Sequence, residues 1–158
     1  MQGVKFQTGK KIHAWDVVNE AMGWDSVTRK WGLKPVDPWY PTLPDYVNKA
    51  FTYAREADPD ALLFYNDFGV TTYPDGKAKA IRKMAEDMIS KGVPIDGIGL
   101  QMHIHDDSPP TREETAATIK MFGDLGLQVH ITELDVKCTK CDGSDAAALS
   151  KQADIYVN

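Results

Sequence analysis

Trp15-Asp-Val-Val-Asn-Glu20 decides how this chain is read. It closes an apolar run, residues 12–19, with the length and the aliphatic and aromatic content of a buried strand, and it ends by releasing polar, chemically capable side chains. Residues 62–66, 97–102 and 128–135 share that design, the last containing Ile131-Thr-Glu-Leu-Asp135. Between these runs lie helical patterns. Residues 44–57 place Val47, Ala50, Phe51 and Ala54 on one face and stop at Asp58-Pro59, where proline blocks continuation. Residues 77–91 repeat the pattern with Ile81, Met84, Ala85 and Met88 and close at Gly92, a natural left-handed C-cap. Thr111-Arg-Glu-Glu114 has capping-box spacing ahead of Ala117, Ile119 and Phe122, and residues 145–157 form a last amphipathic stretch with no evident cap. Strand and helix alternate throughout, which predicts an α/β fold with a parallel sheet and crossover helices.

Residues 23–43 break the alternation. They are rich in Trp, Pro and Gly and fit an extended loop with room for one short helix. Trp24, Trp31, Trp39 and Tyr40 lie here, either packing the loop against the body or lining a groove where flat rings suit the faces of sugars.

The composition narrows the function. The chain has 158 residues, with 18 Lys and Arg against 23 Asp and Glu, a formal net charge of −5. A sequence pI near 5.3 and the lack of a basic cluster argue against nucleic acid or an anionic membrane as partner. No apolar run approaches a membrane span, and residues 1–11 lack the apolar centre of a signal peptide. Cys138 and Cys141 make a single Cys-x-x-Cys. A zinc ribbon needs a second pair, and a thioredoxin-like site needs a helix start directly behind the motif, so a local disulfide or two plain thiols is the expectation.

Glu20 and Glu133 stand out because each falls at the C-terminal end of a predicted strand, the end at which parallel α/β folds bind and transform ligands. Paired glutamates on one rim are what glycosidic-bond cleavage requires. One protonates the leaving oxygen, and the other attacks the anomeric carbon or activates water.

Trp15-Asp-Val-Val-Asn-Glu20 and Ile131-Thr-Glu-Leu-Asp135 closely resemble the acid/base and nucleophile segments of family 10 glycoside hydrolases, the retaining endo-β-1,4-xylanases with a (β/α)8 barrel. Phe64-Tyr-Asn-Asp67 and Gly97-Ile-Gly-Leu-Gln-Met-His103 resemble that family's fifth and sixth strand ends. The resemblance implies that Glu20 is the general acid/base and Glu133 the nucleophile. It further implies that Asn19 bonds the sugar 2-hydroxyl, that Gln101 is another polar contact, and that His103 sits beside Glu133 with Asp135 fixing its ring. The implied substrate is xylan or a xylo-oligosaccharide, without metal or cofactor. The His103-Ile-His105-Asp-Asp107 cluster is therefore not expected to hold a metal, although it has the residue types. His13 and His130 are expected inside strand runs, and Asn66 and Asp67 to shape the rim by capping backbone groups. Phe68 stands where the family often has Tyr.

The match starts just before the fourth barrel strand and runs into the helix after the seventh. A whole barrel takes about 250 residues. An incomplete domain across residues 1–158 is therefore expected, lacking the strands that supply a Lys, a His, an Asn and tryptophans to the family's sugar grip. Open sheet edges then favour association with the missing strands or with other copies. Two rivals remain: a catalytically silent fragment that needs a complementary chain, and a retaining hydrolase acting on β-1,4-glucan. An extracellular location is implied by the family alone.

Overall fold

Four of the apolar runs pair side by side in parallel, and everything else is arranged around them. The computed structural model describes residues 11–35, 38–72, 74–139 and 145–157. In chain order the elements are β1 (Ala14–Asn19), β2 (Met22–Asp25), β3 (Lys30–Leu33), α1 (Tyr46–Ala57) and β4 (Leu62–Asp67). A π turn (Pro74–Ala78) then leads into α2 (Lys79–Ser90), β5 (Gly97–Leu100), β6 (His103–His105), α3 (Arg112–Gly123), β7 (Gln128–Ile131), β8 (Asp135–Lys137) and α4 (Ala146–Val157). The main sheet has the order β1-β4-β5-β7, parallel throughout.

The two faces of this sheet differ. Leu63, Tyr65, Ile98 and Leu100 point to one side and pack with Val47 and Phe51 of α1, Ile81, Ala85 and Met88 of α2, and Phe122 of α3. Each such fully buried aliphatic or phenyl side chain contributes about 1.5–3 kcal/mol. Phe64 and Asn66 alternate with them and point to the other side, which in a closed barrel is the interior. There Gly97 and Gly99 provide the space. A Cβ at Gly97 would lie 2.2 Å from Phe64 Cε1, and one at Gly99 would lie 2.3 Å from Asn66 Oδ1. Phe64 reaches across β5 and stacks on His130 of β7, with ring centroids 4.2 Å apart.

Helix ends follow local chemistry. α2 closes with Gly92 at φ 70° and Val93 N–H donating to Met88 O at 3.0 Å, a Schellman arrangement. The capping box of α3 is present in both directions: Thr111 Oγ1 accepts from Glu114 N and Glu114 Oε2 accepts from Thr111 N. α4 does have a cap, since Asp145 Oδ1 accepts from Ala147 N and Ala148 N.

The structure departs from the sequence expectation in three places. Residues 23–43 hold no short helix among the described residues but an antiparallel hairpin, β2 with β3, in which Trp24 opposes Trp31. The strand beginning at Gly97 stops at Leu100 because Met102 turns the chain with φ 58°, and the run from Gln128 stops at Ile131. Beyond these two stops the chain forms a second small parallel pair, β6 with β8, placing His103 opposite Asp135. Among the described residues no helix is long and apolar enough to cross a membrane.

Candidate active site

The backbone ladder continues one step past β1, β5 and β7 and brings the polar residues to one rim. Glu20 N donates to Asn66 O at 2.9 Å, Gln101 N to Asp67 O at 3.1 Å and Thr132 N to Leu100 O at 3.0 Å. Glu20, Asn66, Gln101 and Glu133 thereby share the C-terminal edge of a parallel sheet. Glu20 takes φ 55°, a left-handed conformation uncommon for a residue with a side chain, and costs of about 1–3 kcal/mol are typical of such positions.

Asn66 is the hub. Its Oδ1 accepts from Thr132 Oγ1 at 2.8 Å, which orients the amide. Its Nδ2 then donates to Glu133 Oε1 at 2.7 Å and to Asn19 Oδ1 at 3.0 Å. Gln101 Nε2 donates to the same Asn19 Oδ1 at 3.0 Å and to Glu20 Oε1 at 3.1 Å. The two carboxylates are therefore ends of one hydrogen-bonded chain, Glu20–Gln101–Asn19–Asn66–Glu133. Gln101 Oε1 is buried and accepts no bond from the described residues. From sequence, Asn66 has only a rim-capping part; its true signal is that it shares a face with Phe64, across from two glycines in β5.

Glu133 has a second neighbour. His103 Nε2 lies 3.3 Å from Glu133 Oε2, and His103 Nδ1 lies 3.0 Å from Asp135 Oδ2. His103 thus stands between the two carboxylates, with Nδ1 toward Asp135 and Nε2 toward Glu133. On the interior face, burial first and the Glu133 charge second raise the Asp16 carboxyl above its ordinary range, while His130 pulls it down.

Other expected residues are placed differently. His13 lies before β1 and is exposed, whereas His130 is half-buried under Phe64. Asp106 does not join His103 and His105. It accepts from Thr139 N at 3.1 Å and Thr139 Oγ1 at 2.6 Å, which hold its carboxyl below the usual range. Among the described residues no group of three or more His, Cys, Asp and Glu could hold a metal ion. Asp67 caps Phe68 N at 2.9 Å and also binds groups behind the sheet. Trp31 packs over Gly76, where a Cβ would lie 2.5 Å from its Nε1, while Trp24 and Trp39 are exposed. Cys138 is disulfide-bonded; Cys141 lies outside the described residues.

A parallel sheet with crossover helices, polar residues gathered at the C-terminal mouth and one face that no described residue covers defines a segment of an α/β barrel with an acidic cleft. The sequence model of Glycosyl hydrolase family 10 matches residues 2–158, and the chain belongs to that family. It is 42% identical over 147 residues to endo-1,4-beta-xylanase B of Thermotoga neapolitana, which covers 92% of this chain and 40% of that protein. The intracellular xylanase of Thermoanaerobacterium saccharolyticum superposes with a TM-score of 0.80 at 36% identity, covering 96% of this chain and 44% of that one. A Glu-to-Ala mutant of the same xylanase, solved in complex with xylotetraose, superposes with a TM-score of 0.77 at 36% identity over 92% of this chain and 42% of that one. The chain thus spans less than half the length of these relatives.

Proposed function

We propose that this chain carries the catalytic pair of a retaining endo-β-1,4-xylanase. The observation that carries the reading is the single hydrogen-bonded chain joining Glu20 to Glu133 at the C-terminal rim. Glu133, held by Asn66 and His103, attacks the anomeric carbon as Glu20 protonates the departing oxygen. Glu20, now ionised, then takes a proton from the water that releases the glycosyl ester and restores Glu133. This double displacement requires carboxyl groups roughly 5–5.5 Å apart. Asn19, anchored by two amide donors, is offered to the sugar 2-hydroxyl, a contact that strengthens in the transition state. The names of the relatives, and the xylotetraose complex of one of them, support xylan or a xylo-oligosaccharide as substrate.

Hydrolysis of aryl β-xylobiosides tests this reading. Glu133→Ala is expected to fall to background. Glu20→Ala is expected to lose about 10²–10⁴-fold in the deglycosylation step while keeping the first step for activated leaving groups. Faster release from an aryl β-cellobioside would redirect the substrate to β-1,4-glucan. One observation favours a second reading, a silent fragment needing a complementary chain: this chain covers only 40% of its Thermotoga neapolitana relative. No turnover by the unmodified chain, with turnover restored by a complementary barrel segment, would select it.

A further inference from the structure

Behind the rim, on the helix side of the sheet, lies a charged cluster that the chemistry above does not use. Lys77, Asp67 and Tyr65 are 1%, 0% and 0% exposed. Lys77 Nζ donates to Asp67 Oδ1 at 2.7 Å, and Tyr65 Oη donates to Asp67 Oδ2 at 2.6 Å. Tyr65 Oη in turn accepts from Met22 N–H at 2.9 Å. A buried ion pair is a poor way to gain stability, since apolar side chains of similar volume do as well or better, so its presence calls for another role.

The geometry of the chain after β1 supplies that role. Only Ala21 separates Glu20 from Met22. The left-handed turn at Glu20 is pinned on one side by Glu20 N to Asn66 O and on the other by Met22 N to Tyr65 Oη. A strained residue persists only where its surroundings over-determine it. The π turn that delivers Lys77 also presses on the hairpin, because Gly76 admits the Trp31 ring and the Lys77 ammonium lies 3.7 Å from the Phe68 ring centroid and 5.9 Å from that of Trp31.

We propose that Lys77, Asp67 and Tyr65 form a positioning relay for Glu20: the ion pair holds the Tyr65 hydroxyl on the Met22 amide, and that bond fixes the turn that aims the Glu20 carboxyl at the leaving oxygen. The proposal rests on the acid/base reading of Glu20. Burial, followed by the Asp67 charge, holds the Tyr65 phenol well above its ordinary range, so the hydroxyl keeps the proton it gives to Asp67.

Tyr65→Phe is the first test, because it removes one oxygen from a buried ring without moving charge. Amide exchange of Met22 and Glu20 is expected to quicken about tenfold or more while amides of α2 and β5 stay unchanged. Hydrolysis of a phenyl β-xylobioside, which needs acid assistance, is expected to fall about tenfold, against less than about twofold for the dinitrophenyl substrate. Lys77→Met leaves the Asp67 carboxylate buried without its partner and is expected to lower overall stability as well as to quicken Met22 exchange, and Lys77→Met with Asp67→Asn should recover that stability without restoring the phenyl rate. Unchanged Met22 exchange in Tyr65→Phe, or an equal loss on both substrates with a uniform rise in exchange, overturns the relay. If Glu20→Ala itself discriminates neither substrate, the acid/base reading fails instead. If no form of the chain turns over substrate, the Met22 and Glu20 amides alone decide.

Discussion

Gly99 shows how much of the rim depends on an atom that is not there. A methyl group at this position would meet Asn66 Oδ1 at 2.3 Å and, at 3.0 Å, the Cγ2 of Thr132, the residue whose Oγ1 orients the Asn66 amide. Gly99→Ala is therefore expected to displace Asn66 from Glu133, costing about 1–3 kcal/mol of stability and a larger share of any xylobioside hydrolysis. Gly32→Ala meets nothing within 4 Å and should change the melting temperature little, so denaturation of both variants checks the assignment. Asp16 gives a pH test. Its carboxyl is raised in the folded state, so the protonated form is favoured there; the stability it contributes is full below the ordinary carboxylate range and is lost as pH rises through the raised value. Asp16→Asn should then raise the melting temperature near neutrality, with the gap closing in acid; an equal gap at all pH values would show that the folded state does not raise the Asp16 carboxyl. The catalytic-type residues were legible because strand ends expose their chemistry in sequence. The hub was not, since an Asn-Asp pair after a strand looks like any rim, and only the register of β4 on β5 shows that Asn66 spans to Glu133.

Among the elements, the helices were legible because most carry their own boundary signal. Proline after α1, glycine after α2 and the Thr111–Glu114 box before α3 are local signals and needed no tertiary knowledge. Thr111→Ala removes the side-chain half of that box and should cost about 1 kcal/mol, seen as a lower denaturation midpoint. Since α3 lies away from the Glu20–Glu133 chain, the activity of the folded fraction should be unaffected; a parallel loss of both would mean that α3 positions the rim. The hairpin was missed because its strands have only four residues each and their alternation is obscured by glycines. The available signal was the Trp24–Trp31 pair, whose rings meet edge to face at 5.7 Å, around a turn in which Asp25 accepts from Val27 N, Thr28 N and Thr28 Oγ1. The pair β6 with β8 could not be read in advance, because its register depends on where two separate segments leave the main sheet.

For the whole molecule, the main sheet sets a physical problem that the local elements do not solve. Among the described residues β1 and β7 each have a neighbour on one side only, and the face carrying Phe64, His130 and Asp16 has no opposite wall. Next to β7 an apolar concavity of about 740 Å³ is lined by Ile104, Ile119, Ile131, Leu134 and Tyr156, with Ile131 itself 51% exposed. An unpaired parallel edge beside exposed aliphatic side chains is a template for another strand. The chain on its own is accordingly expected to self-associate, with a sedimentation mass that rises with concentration. Ile131→Lys places a charge on the open edge and Ile119→Lys one in the wall of the concavity, so the double variant should be monomeric at concentrations where the unmodified chain is not, with its far-ultraviolet circular dichroism preserved. The rest of a barrel, supplied in trans, should compete with self-association because it would cover the same edge. An unmodified chain that is monomeric at every concentration and melts in one sharp transition would show that the exposed edge is tolerated. It would also remove the physical ground for a silent fragment and leave Glu20 and Glu133 to be judged by hydrolysis alone.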